Sequence, residues 1–341
     1  MVTLREIAEV AGVSHVTVSK ALTGASQPTR AAAKKRVERI RRIAREMGYR
    51  PNTAARSLRS GRTGMIAVLG ETPLTLDEQN QEEYLALRQI ASRLRERGLT
   101  LSTQLCEPDD SNDRLPPWSV DAAIVVSPNT PQHVAGVEDV AMPYVVLNGV
   151  CGPGGSAVQY DDDAGIRLAV DTLVEAGHER IAYLNHVRAF EHPSVDARFV
   201  GYHARMGEHG LPPLPTGKPG EVDREAIAPH LRTLRDEHGC TAVICWDPWV
   251  ALFTYQAAEK LGLAIPDDLS VLTFNDTAIG AEALRPPTTV IARPIEATAA
   301  AVVALLHEQL ESPRRPVRTV TLPPRVIRRG SVAPPTPTPK P

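Results

Sequence analysis

The chain has 341 residues, 42% apolar and 23% charged, an ordinary globular composition with room for two or three domains and a sizeable core. No apolar run approaches the ~20 residues that span a bilayer, and the opening MVTLREIAEVAG has no signal-peptide core, so a cytoplasmic protein is expected and a membrane partner is not. Residues 1–62 carry 14 Lys and Arg against four Asp and Glu, and the rest carry 24 against 36, so the net charge of −2 hides a basic head on an acidic body and points to a polyanionic partner.

The first element opens at Thr3-Leu4-Arg5-Glu6, a capping box in which the Thr3 hydroxyl accepts from the Glu6 amide and the Glu6 carboxylate reaches back. A helix over about 4–11 follows, with Leu4, Ile7, Ala8 and Ala11 inward, and Gly12 ends it. Ser14 caps a second helix over about 14–22, stopped by Gly24, which packs through Val13, Val18 and Leu22. Two short helices across a tight turn make a helix-turn-helix. His15, Val16, Ser19 and Lys20 lie on the other face, a mixture of donors, a cation and a small apolar group that suits base edges in a major groove. Thr17 and Ser19 suit phosphate oxygens. A third helix over about 29–47 is dense in cations and carries Val37, Ile40, Ile43, Ala44 and Met47 as its apolar stripe. After Tyr49-Arg50-Pro51-Asn52, residues 53–60 (TAARSLRS) are too short for a lone helix in water and are expected to fold on meeting a partner.

VTLREIAEVAGVSHVTVSKALTG, followed by GYRPNTAARSLRSGRTGMIAV, resembles the lactose-repressor and galactose-repressor family of bacterial transcription regulators. The resemblance implies that His15, Val16 and Lys20 face bases, and that Thr3, Ser14, Thr17, Ser19 and Asn52 approach the backbone. It also implies that Ala55 and Leu58 belong to a hinge helix on DNA, with Leu58 wedged into the minor groove; such a wedge kinks DNA at a cost repaid by added contacts. Between Ala25-Ser26 and Tyr49 the chain carries about four residues more than the family spacing, roughly one helical turn.

Beyond residue 63, short β-rich runs alternate with helical stretches. Strands are expected at 65–69, 99–105, 122–126, 144–147, 181–184, 242–245 and 271–274, and helices at 82–97, 164–176, 197–207, 226–238, 250–261 and 296–311. This alternation predicts doubly wound parallel sheets in two lobes. Gly152-Pro153-Gly154-Gly155 reads as a turn. Cys106, Cys151, Cys240 and Cys245 have no C-x-x-C spacing and predict neither a disulfide framework nor a zinc site. The histidine pairs His203/His209 and His230/His238 lack metal spacing, and His186, Glu191 and His192 read as a surface loop. No phosphate-cradling Gly-rich loop and no catalytic acid, base or nucleophile set is present, so no enzyme, cofactor or metal is expected.

The likeness to the family continues through Tyr160-Asp161-Asp162-Asp163-Ala164-Gly165, Gly177-His178, Arg198-x-x-Gly201-Tyr202 and Phe274-Asn275-Asp276. It implies a periplasmic-binding-protein-like body crossed three times by the chain, near 158, 290 and 319. The expected domains are a helix-turn-helix over 1–48, a hinge over 49–62, an N-terminal lobe of 63–158 and 290–318, and a C-terminal lobe of 159–289 and 319–330. A disordered Pro-rich tail over 331–341 completes them. A small effector, most readily a sugar or glycoside and alternatively a nucleoside or other polar metabolite, is expected in the inter-lobe cleft against Asn148, Arg198, Trp246, Asp247 and Asn275. Arg198 offers a fork of donors, with an inter-lobe salt bridge as its other reading, and Asp247 doubles as a helix cap. The expected molecule is a homodimeric repressor on palindromic double-stranded operator DNA.

Overall fold

The structure, a computed structural model, describes residues 2–23, 31–49, 61–70, 81–103, 119–127, 132–185, 192–216, 225–277, 281–312 and 317–336. It divides into two compact units, residues 1–63 and 64–341.

The first unit holds α1 (Leu4–Ala11), α2 (His15–Thr23) and α3 (Ala31–Glu46). The capping box forms: the Glu6 amide donates to Thr3 Oγ1, and the Thr3 amide donates to Glu6 Oε2 at 2.7 Å. Gly12 ends α1 at φ 64°, where a side chain would be strained. The Thr17 amide donates to Ser14 Oγ at 3.2 Å, satisfying a first-turn donor of α2. Ile7, Ala8, Ala11, Val18, Ala21, Ile40, Ile43 and Ala44 close one small core, with Leu4, Val13, Leu22, Val37 and Met47 packed against it. Arg41 Nε donates to the Ala21 carbonyl at 3.2 Å and ties α3 to the last turns of α2.

The second unit carries two sheets. Sheet A takes β1 (Met65–Leu69), β2 (Thr100–Thr103), β3 (Ala122–Val126), β4 (Tyr144–Leu147), β5 (Ser156–Tyr160) and β10 (Thr319–Leu322), in the order β10-β5-β4-β3-β1-β2, all parallel. Sheet B takes β6 (Ile181–Leu184), β7 (Ala242–Cys245), β8 (Ser270–Phe274), β9 (Thr289–Ala292) and β11 (Arg325–Ile327), in the order β11-β9-β8-β7-β6, with only β11 antiparallel. The central strands are continuous apolar runs buried on both faces, as a doubly wound sheet requires.

Helices cover each face. On sheet A, α4 (Gln81–Glu96) and α10 (Ile295–Glu311) close one core, and α5 (Gln132–Asp139) sits on the other. On sheet B, α6 (Asp162–Glu175) and α7 (Pro193–Glu208) cover one face, and α8 (Ile227–Asp236) and α9 (Pro248–Lys260) cover the other. Helices α6 and α7 approach so closely that a Cβ at Gly201 would lie 2.5 Å from Ile166 Cγ2, which accounts for the glycine of the Arg198-x-x-Gly201-Tyr202 run.

Two expectations are corrected. The chain crosses between the sheets at 160–162, 292–295 and 322–325, so residues 319–322 belong to sheet A, paired with β5, rather than to the C-terminal lobe. Strand β10 is a half-exposed edge with no continuous apolar run to assign it a sheet, and Pro323-Pro324 breaks it before β11. The Pro-rich tail is ordered through Thr336. Ser331 is fully buried, and the Ala333 carbonyl is held by His178 Nε2 at 2.9 Å and by Ser270 Oγ at 3.1 Å. Captured carbonyls and a hydroxyl hold this stretch where composition alone suggests disorder.

Candidate functional site

In the helical unit, α2 turns Val18 and Ala21 inward and leaves His15, Val16 and Lys20 exposed, with Val16 49% accessible. Thr17 and Ser19 are half-buried at the edges of this strip, and Thr3 and Ser14 are exposed. Lys34, Lys35, Arg36, Arg39, Arg41, Arg42 and Arg45 are exposed along α3. An apolar methyl-bearing side chain between a histidine and a lysine can meet base edges, and the cations can neutralise phosphates. Asn52, Ala55, Leu58 and residues 24–30 lie outside the described residues.

The lobes of the second unit meet through buried polar side chains. Glu82 and Glu83 open α4, each 2% exposed. Glu82 Oε1 accepts from the Asp276 amide at 2.8 Å, and its Oε2 lies 3.4 Å from Arg293 Nε. Glu83 Oε1 accepts from Asn148 Nδ2 at 3.1 Å and from Arg293 Nη1. The Arg293 guanidinium lies over the Tyr160 ring, 4.5 Å from its centroid. Burial pushes the Glu82 carboxyl up to about 7, against the pull of Arg293 and with the help of the Glu83 charge.

A second tie runs through His192. Its Nδ1 accepts from the Ser194 amide at 3.2 Å, capping α7, so Nε2 carries the proton and donates to the Asn148 carbonyl at 3.0 Å. Burial holds the His192 pKa below its usual value. Beside the His192 tie lies a cavity of about 260 Å³ whose lining includes Asn148, Gln159, Tyr160, Asp161, Asp162 and His192.

The expected effector residues divide. Asn148, at φ 58°, lines the cavity. Arg198 is 2% exposed: Nε and Nη2 reach Asp162 Oδ1 at 2.8 and 2.7 Å, Nη1 donates to the Trp246 carbonyl at 2.8 Å, and the guanidinium lies 3.8 Å from the Phe274 ring centroid. The inter-lobe salt bridge weighed for Arg198 is not the one formed: its partner is Asp162 at the start of α6, within the sheet B lobe. Asp247 is the N-cap of α9, accepting from the Val250 amide at 2.7 Å, and Trp246 is buried beside Arg198. Asn275 is 6% exposed at φ 67°, and among the described residues no donor meets its Oδ1.

Sequence reasoning missed Glu82, Glu83, Arg293 and the buried role of His192. Two acids at a helix N-terminus look like ordinary dipole partners, and a histidine before a proline looks like loop. The proline at the first helical position was the available signal that His192 is a cap. Among the described residues no group of three potential metal ligands occurs, and no helix is long and apolar enough to cross a membrane.

Residues 3–52 match the bacterial regulatory proteins of the lacI family, and residues 170–332 match the periplasmic binding protein-like domain. The HTH-type transcriptional regulator reg1 of Streptomyces lividans is 27% identical over 352 residues, covering 97% of this chain and 96% of its own length. A transcriptional regulator CelR–cellobiose complex superposes with a TM-score of 0.66 at 24% identity, covering 97% of this chain and all of the other. The lac repressor dimer bound to operator and an anti-inducer superposes with a TM-score of 0.72 at 22% identity, over 97% and 99% of the two chains. The chain therefore carries a helix-turn-helix region of the lacI type and a periplasmic binding protein-like domain, and the curated relatives that it matches along its length are HTH-type transcriptional regulators.

Proposed function

We propose that the chain is a dimeric repressor that reads a palindromic operator and is controlled by a sugar or glycoside held between its lobes. The exposed His15–Val16–Lys20 strip, opposite a face of α2 buried in the core, carries the DNA half of this reading. Lys20 with His15 and Val16 reads base edges, while Thr3, Ser14, Thr17 and Ser19 meet the backbone. Asn52, Ala55 and Leu58 contact the duplex as well. The cavity among Asn148, Asp162 and His192, lined from both lobes, supports the effector half. Arg198 acts on the effector through Asp162, which it orients, and Trp246, Asp247 and Asn275 serve as further effector residues. Effector binding shifts the lobe equilibrium, and linkage carries that shift to the headpieces of the dimer. The assembly works in the cytoplasm on nucleoid DNA.

Selection from a random duplex pool tests the reading. A two-fold-symmetric site is expected, and Lys20→Ala should cost about 1–3 kcal/mol of discrimination at one position per half-site. Selected DNA should then be released by the small-molecule fraction of a cell extract. Absence of any symmetric preference overturns the DNA half, and a full panel of extracts that leaves operator affinity unchanged overturns the effector half.

A further inference from the structure

Nearly every carboxylate around the lobe junction is balanced. Asp162 pairs with Arg198, Asp163 with Arg167, and Asp276 with Arg329. Asp161 and Asp247 cap helices. Among the described residues the exception is the pair Glu82–Glu83, two buried carboxylates that share one buried guanidinium, Arg293. With both acids ionised, one negative charge would be left over in a place where water cannot screen it. Among the described residues, three buried acceptor atoms at this junction make no hydrogen bond: Glu82 Oε2, which lies 3.4 Å from Arg293 Nε in an ion pair, Glu83 Oε2 and Asn275 Oδ1. The third is independent of the acids, and the bond from the Asp276 amide to Glu82 sets Asn275 one residue from the Glu82 carboxylate.

An ammonium group has one positive charge, three donors and no acceptor. Resting on the reading of the cleft as the effector site, we propose that the effector carries a protonated amine, seated against Glu82 and Glu83 opposite Arg293, with Asn275 Oδ1 as its third acceptor. The ligand is then an amine-bearing small molecule, an amino sugar if the sugar reading holds, and an anionic ligand is excluded by the same charge. The charged and titratable groups facing Glu82 are Arg293, Glu83 and Tyr160, with Asp162 reached through Arg293. Free of ligand, Glu82 keeps a proton near neutral pH because burial raises its pKa to about 7; an incoming ammonium displaces that proton.

The test is calorimetric titration of the full chain with matched trios of hexose, 2-amino-2-deoxyhexose and hexuronate in the gluco, galacto and manno series. Runs at pH 6.5 in two buffers of different ionisation enthalpy count the protons released. The amine member of one series should bind at least about tenfold tighter than its neutral counterpart and release close to one proton. Glu83→Gln should erase the preference, and Glu82→Gln should erase the proton release; the wild-type proton count stands by itself if either variant misfolds. Equal binding of neutral and amine members, tighter binding of a uronate, amine binding without proton release, or no binding by any trio each overturns the proposal. A neutral hexose that binds and releases operator overturns it while leaving the cleft reading intact.

Discussion

Glu82 shows how one carboxylate can cost the fold something and still be kept. Its pKa of about 7 in the folded chain, against 4.5 as its ordinary value, means that the native state holds a proton which the unfolded chain has lost between those two pH values. A raised acid destabilises the fold fully above pH 7, and the penalty disappears as pH falls through the folded pKa towards 4.5. Glu82→Gln keeps the acceptor for the Asp276 amide and removes the charge. It should therefore raise unfolding stability by about 1–3 kcal/mol at pH 8 and by almost nothing at pH 4.5, read from urea denaturation at the two pH values. An equal gain at both would mean that the charge is already neutralised in the wild-type fold. A position that stability alone would fill with glutamine or leucine is one where charge serves recognition.

Among elements, the closing stretch of the chain does the least expected work. The Ser331 hydroxyl donates to the Val271 carbonyl at 2.5 Å and accepts from the Thr289 amide at 2.8 Å, while the Val271 amide donates to the Ser331 carbonyl at 2.9 Å. Ser331 thus staples β8 and β9 from outside sheet B, and Ser331→Ala leaves a buried N–H and a buried carbonyl without this partner. The expected loss is about 1–3 kcal/mol of stability, measured by chemical denaturation, with sheet B amides exchanging faster than sheet A amides. Such staples are invisible to pattern reading. The α helices with caps and stripes were legible: the Thr3–Glu6 box, the Gly12 stop and the α2 packing face all follow from residue type and spacing. So were the apolar central strands β1, β3, β4, β6, β7 and β8. Strands β5, β9, β10 and β11 and helix α5 were not, because β10 and β11 are half-exposed edges, and polar residues interrupt the apolar runs of SAVQY and TVIA. The site divided in the same way. Asn148 and Asn275 stand in motifs, but Glu82, Glu83 and Arg293, far apart in sequence, meet only after the chain has crossed between the lobes.

At the scale of the whole body, two polar ties with opposite pH responses hold the lobes together. The Glu82–Glu83–Arg293 tie is relieved by protonation. The His192 tie is broken by it, because a proton on Nδ1 would face the Ser194 amide. The His192 pKa lies below 6.5 in the fold, so its contribution is intact above pH 6.5 and is lost as pH falls below that value. Between them the lobes hold best near neutrality, where the histidine is uncharged and Glu82 is still partly protonated. His192→Ala removes the donor to the Asn148 carbonyl and the cap of α7 together, at a cost of about 1–2 kcal/mol. That cost falls on the closed arrangement, so effector affinity should weaken by about tenfold or more, since a site populated less often binds less tightly in proportion. Backbone exchange should quicken at the α7 start and around Asn148 and stay unchanged in α1 and α2, whose core shares nothing with this tie. Exchange that rises equally in both units would mark His192 as a residue of general stability, and unchanged effector affinity would show that closure does not govern binding.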